Sequence, residues 1–188
     1  MKPSFSVYAS AGLALALLST GLGCDGGDSP VTAAFTGSGV ASAANVVRLT
    51  GQASSDTVVV SVAIGGPTTS GDLYSFAFDL NVGDPSVLQY VPASATFGSA
   101  LTLGSGQAGE ALASQNGGVV TVGVSKLGGG AGNGVGAGES GIVSLTFRVL
   151  KKTSTTIGIA ASATALDSNL AAVPSVQFDT TPATITGF

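Results

Sequence analysis

Along four stretches of this chain a hydrophobic residue recurs at every second position, and that period decides most of what the chain can fold into. In Thr57–Ile64, Val58, Val60, Val62 and Ile64 fall on one side. In Leu73–Val82, Tyr74, Phe76, Phe78, Leu80 and Val82 face one way, and Ser75, Asp79 and Asn81 face the other. Gly118–Ser125 alternates Val120, Val122 and Val124 with Thr121 and Gly123. Ile142–Leu150 alternates Val143, Leu145, Phe147 and Val149 with Ser144, Thr146 and Arg148. Side chains of extended backbone point alternately to two faces, so each stretch predicts a half-buried strand. Val87–Val91, Ile157–Ala161, Ser175–Phe178 and Ala183–Thr186 are shorter candidates. Gly, Pro, Asn and Asp punctuate the strands, and no long helical stripe interrupts them. The expectation is an all-β domain over residues 45–188, a two-sheet antiparallel β-sandwich with the apolar faces turned inward.

The start of the chain reads differently. Lys2 is followed by an apolar run centred on AGLALALL, then by small residues, which is the layout of a secretory signal peptide over residues 1–23. The run is too short for a stable membrane-spanning helix. Gly21-Leu22-Gly23-Cys24 resembles the lipobox of bacterial lipoproteins, with Gly21 where that motif usually has Leu. The resemblance implies lipidation of Cys24, the only cysteine, which cannot form an internal disulfide. An ordinary signal peptide, with Gly21 and Gly23 as the small residues of its cleavage site, is the competing reading. Residues 24–44 are mostly Gly, Ser, Ala and Thr, which predicts a flexible tether between a lipid anchor and the domain. The expected location is outside the cytoplasm, on the cell surface or in the periplasm.

Several functions are disfavoured by what the chain lacks. Past residue 23 there are five basic residues against ten acidic ones, and only Lys151 and Lys152 are adjacent, so nucleic acid is not an expected partner. There is no histidine, which rules out a Ser-His-Asp triad and a His-ligated zinc. The acidic residues Asp56, Asp72, Asp79, Asp84, Glu110, Glu139, Asp167 and Asp179 are scattered, with no pair set up for glycoside hydrolysis. Gly104-Ser105-Gly106-Gln107-Ala108-Gly109 matches G-x-G-x-x-G, but no amphipathic helix follows to receive a phosphate, so it reads as a loop. The glycine run 128–138 lacks a P-loop ending and reads as a loop too. No enzyme activity and no cofactor are expected. Calcium is the one metal with candidate oxygens, at Asp79, Asp84 and Asp167, beside the plainer reading of these as turn residues.

Three stretches carry a resemblance to the cohesin domain, a β-sandwich of jelly-roll type related to some carbohydrate-binding modules. They are Val58–Ile64 with Gly65-Gly66-Pro67, the run from Phe76 through Asp84-Pro85 to Val87-Leu88-Gln89-Tyr90, and Gly138 through Val149. The family's turn tyrosine is absent here, with Val82-Gly83 in its place. The resemblance covers about residues 45–188 and implies a protein-interaction module. The best-known members use one sheet face to bind a calcium-loaded dockerin, assembling polysaccharide-degrading complexes.

The candidate contacts are strand-face positions, Asp79, Asn81, Gln89, Thr121, Ser144 and Arg148. Sugar-binding sandwiches commonly present aromatic rings to the sugar faces, and the chain has no Trp. Tyr90 and Phe97 are the candidate exposed rings, and Tyr74 is expected in the core. Three readings therefore stand: a protein-binding module, a carbohydrate-binding module and a structural cell-surface protein.

Overall fold

The alternating stretches become the central strands of two facing sheets. A computed structural model describes residues 29–188, and among these every regular element is a strand. The first sheet runs, in spatial order, β1 (Ala33–Thr36), β13 (Ala183–Gly187), β10 (Ser154–Ile159), β4 (Ser75–Val82), β8 (Val119–Leu127) and β7 (Ala108–Asn116). A short β11 (Thr164–Leu166) also pairs with β4. The second sheet runs β12 (Gln177–Phe178), β2 (Val46–Ser54), β3 (Thr57–Gly66), β9 (Gly138–Val149) and β5 (Leu88–Tyr90), with β6 (Thr96–Phe97) also on β9. All pairings are antiparallel except β12 with β2. This is the expected two-sheet sandwich.

The stripes read from the sequence line the space between the sheets. Phe76, Phe78, Leu80 and Val82 of β4 and Val120, Val122 and Val124 of β8 come from one side. Val58, Val60, Val62 and Ile64 of β3 and Leu145, Phe147 and Val149 of β9 come from the other. Fully burying each large side chain contributes roughly 1.5–3 kcal/mol, so these stripes dominate stability. Ile142 and Val143 are consecutive yet both buried, which strict alternation forbids. A β-bulge explains it: the β3–β9 register shifts between Val62 and Ala63, so β9 gains one residue there.

Two expectations change. Tyr74 is only half-buried, and its hydroxyl donates to the Gly128 carbonyl at 2.8 Å instead of entering the core. It precedes the first residue of β4, so the inward stripe of that strand starts at Phe76. The tether expected over 24–44 contains a strand. Ala33–Thr36 pairs along β13, and Thr32 and Phe188 exchange backbone hydrogen bonds of 3.2 and 2.9 Å. The Ala33 N–H donates to the Ser55 carbonyl in the β2–β3 turn, so β1 joins both sheets. Phe35 lies flat on Gly51 of β2, where an added Cβ would sit 2.8 Å from the ring. The part of the tether up to residue 28 and the signal segment lie outside the described residues.

Gly51 therefore gates the docking of β1. Gly51→Ala should displace the Phe35 ring and free β1 while the central strands hold. In hydrogen exchange, amides of β1 should lose protection while those of Val58–Ile64 keep it.

Candidate interaction surface

A sandwich offers two outer faces, and inward alternation fixes which residues each presents. On the first sheet, β4 and β8 pair Asp79 with Thr121, Ala77 with Gly123 and Asn81 with Val119. Across β8, the edge strand β7 sets Ser114 beside Thr121, Leu112 beside Gly123 and Asn116 beside Val119. The sequence candidates Asp79, Asn81 and Thr121 thus share one face. With them sit three residues the sequence reading did not select: Leu112 at 64% exposure, Leu127 at 44% and Val119 at 37%. A shallow hollow of ≈ 480 Å³ opens among Glu110, Leu112, Gly123, Ser125 and Leu127. Gly123 has no Cβ to fill it, which leaves Leu112 standing proud of a flat floor.

The other candidates lie on the opposite face. Gln89 pairs with Arg148, and Ser144 with Ser61, on β5, β9 and β3. Ser61 Oγ and Ser144 Oγ are 2.9 Å apart, so those hydroxyls already satisfy each other. Arg148 reaches Asp56 at 3.3 Å in an exposed pair, a contact that contributes little. Arg48 makes the stronger pair on this face, with Nε and Nη2 donating to Glu139 at 2.6 and 2.9 Å. This surface carries internally paired serines and an arginine–glutamate pair, with Val59 exposed among them. The six strand-face candidates therefore divide three and three, and no single flat surface holds them all.

The aromatic candidates are not a platform. Tyr90 is 4% exposed and meets Phe147 edge-on, with ring centroids 5.8 Å apart. Its expected exposure is thus corrected: Leu88 and Tyr90 both point inward from β5. Phe97 is half-buried and caps Gly109 of β7, where an added Cβ would come within 2.5 Å of its ring. That contact closes the gap between β6 of one sheet and β7 of the other. A cleft of ≈ 410 Å³ lies nearby between Pro85, Gln89, Pro92, Ser114 and Gln115. In it the Tyr90 N–H donates to Gln115 Oε1 at 2.7 Å.

Two of the three aspartates considered for calcium, Asp84 and Asp167, do turn chemistry. Asp84 Oδ1 accepts from the Ser86 N–H at 2.8 Å, and the Ser86 hydroxyl and N–H hold its carboxyl below the usual range. Asp167 Oδ1 accepts from Asn169 and Ala171 at 2.8 and 2.9 Å. Asp79 is on a strand face, and among the described residues no three acidic or sulfur ligands cluster.

The sequence profile described as "Cohesin domain" matches residues 42–182, well over half of the chain. The chain belongs to the cohesin domain family. Similar solved structures include a non-cellulosomal cohesin from the hyperthermophilic archaeon Archaeoglobus fulgidus. It is 15% identical, with 82% of this chain and 88% of that one covered and a TM-score of 0.45. The cohesin module of a family 33 glycoside hydrolase from Clostridium perfringens is 12% identical, covering 83% and 94%, with a TM-score of 0.47. The sixth cohesin of Acetivibrio cellulolyticus scaffoldin B, solved in complex with a Cel5 dockerin mutant, is 18% identical, covering 68% and 86%, with a TM-score of 0.46. A comparison with curated proteins finds no match. As a cohesin, the domain is a non-catalytic interaction module.

The cohesin fold gives Tyr90 a testable place. Its hydroxyl is buried with no hydrogen-bond partner. An unpaired buried hydroxyl costs about 1–3 kcal/mol. Tyr90→Phe should therefore leave stability unchanged or raise it by about 1 kcal/mol, whereas Tyr90→Ala should lower it by about 3–5 kcal/mol. Urea denaturation midpoints read both, and an unshifted Tyr90→Ala midpoint would put the ring back on the surface.

Proposed function

We propose that this cohesin is exported, anchored by a lipid on Cys24, and binds a protein partner through the outer face of β4, β8 and β7. One observation carries the choice of face: Leu112 and Leu127 stand exposed around one shallow hollow, with Val119 exposed at the far end of β8 and Asp79, Asn81 and Thr121 on the same face. Exposed apolar groups ringed by polar ones suit a protein interface, with an apolar centre and a wet rim. On the opposite face Ser61 and Ser144 pair with each other and Arg48 with Glu139, so a partner there would have to break those contacts first. The burial of Tyr90 and the covering of Phe97 favour a protein over a stacked polysaccharide. A dockerin-type module is the first partner to try, by family membership.

Export and anchoring rest on the sequence of residues 1–24. Among the described residues no helix is long and apolar enough to cross a membrane. The N-terminal signal and Cys24 are what support attachment. Two or more acyl chains on one cysteine give durable anchoring, because each buried CH₂ adds about 0.8 kcal/mol.

Three outcomes are expected. Against a panel of dockerin modules in surface plasmon resonance, Leu112→Asp should weaken binding about thirtyfold, the loss of about 2 kcal/mol typical of a hot spot. Arg148→Ala on the opposite face should bind as the parent does, and the reverse pattern would move the interface. Mass spectrometry of the membrane-extracted protein should find an acylated Cys24 as its first residue, and an unmodified Cys24 would refute the anchor.

A further inference from the structure

The edge of a sheet leaves backbone N–H and C=O groups without partners, and folded domains blunt such edges. Three of the four edges in this sandwich are blunted by shortness. β1 has four residues, β12 two and β5 three, with the two-residue β6 beside it. The fourth edge, β7, has nine residues. It contains no Pro and no Lys, and Glu110 is its only charge. Its register against β8 runs from Ala108 to Asn116 without a bulge.

The hairpin fixes which groups of β7 are free. A two-residue turn, Gly117-Gly118, joins β7 to β8, with Gly117 at φ 58°. Asn116 and Val119 are therefore the pair that exchanges hydrogen bonds beside the turn. Bonded pairs alternate, so Ser114, Leu112 and Glu110 also turn their N–H and C=O groups to β8. Gly109, Ala111, Ala113 and Gln115 turn theirs outward. Among the described residues these outward groups have no backbone partner.

We propose that β7 pairs antiparallel with β7 of a second copy of this chain, across a two-fold axis through Leu112. The free groups lie symmetrically about Leu112, and that symmetry selects the mate. With Leu112 opposite the partner's Leu112, Gly109 meets the partner's Gln115 and Ala111 meets the partner's Ala113. Every free N–H and C=O of both edges is then bonded. A slip of one residue sets free groups against groups already bonded to β8. A slip of two leaves one residue at the end of each edge unpaired and sets Leu112 against Glu110 or Ser114. In the symmetric register Leu112, 64% exposed, meets its own copy at a non-hydrogen-bonded position, with Cα atoms about 4.5 Å apart and side chains in contact. Glu110 faces the partner's Ser114, and the two glutamates stand about 14 Å apart along the strand, beyond the screening length. A foreign strand would fill the same hydrogen bonds, but β7 itself supplies the apolar mate for Leu112 and no facing charge. The pair closes on itself, because each copy spends its one long edge.

The test is sedimentation equilibrium of the full chain carrying Cys24→Ser, which has no acyl chain and no thiol. It should show a reversible monomer–dimer equilibrium, more than half dimer at about 100 μM. Ala113→Pro should weaken the dimer at least tenfold, since it removes an N–H that points away from β8 and keeps Leu112 on the outer face. Loss of the dimer in that variant with partner binding intact separates this pairing from the dockerin reading. The register has its own test in the same Cys24→Ser chain. Leu112→Cys on the axis should oxidise to a disulfide-linked dimer, because about 4.5 Å between Cα atoms lies within disulfide reach. Glu110→Cys, about 14 Å from its own copy, should not. A monomer at every concentration up to 300 μM overturns the proposal, as does growth beyond a dimer. A dimer that Ala113→Pro leaves unchanged, or that Glu110→Cys links as readily as Leu112→Cys, overturns it as well.

Discussion

The dry layer between the two sheets sets every other position in the molecule. Phe76 and Leu80 from one side meet Leu145 and Phe147 from the other, all almost fully buried. A slip of one residue in any central strand would turn its whole stripe to water. The inner faces therefore lock the register, and the register places the outer faces. Leu112 lies beside Gly123, and Thr121 between Asp79 and Ser114, because Val120, Val122 and Val124 must point the other way. The surface available for binding is thus a by-product of the core, free to change residue by residue without disturbing it.

That division also explains what the sequence disclosed. The strands with strong inward stripes, β3, β4, β8 and β9, could be read directly. β7 could not, because its inward residues are Gly109, Ala111, Ala113 and Gln115, while its one large aliphatic, Leu112, faces out. Its hydrophobic pattern is the reverse of its burial, since Phe97 and the sheet edge fill the space above the small residues. β1 was hidden for a related reason. Its four residues hold one large side chain, Phe35, whose seat is a glycine on another sheet.

For the site, alternation tells in from out but not which sheet a strand joins. Asp79, Asn81 and Thr121 were thus grouped with Gln89, Ser144 and Arg148, though a sandwich thickness separates them. Tyr90 was misplaced because a strand of three residues shows too little alternation to fix its parity. Lys126 carried a readable signal, as the next inward position after three valines. Only the tertiary arrangement shows that two distant glycine runs close over it. At the end of β8 neighbouring residues thus part company, with Leu127 exposed on the outer face and Lys126 buried.

The β1–β13 ladder sets how the domain bears load. Ala33 lies opposite Gly187, and Thr32 is bonded to Phe188, so residues 32 and 188 sit side by side at one end of the ladder. Tension that draws residue 32 away from residue 188 opens this ladder like a zip, one bond after another, at low force. Tension along β1 instead shears all its bonds at once and drags the Phe35 ring across Gly51. The direction of pull, more than the number of bonds, decides whether the first strand peels or holds.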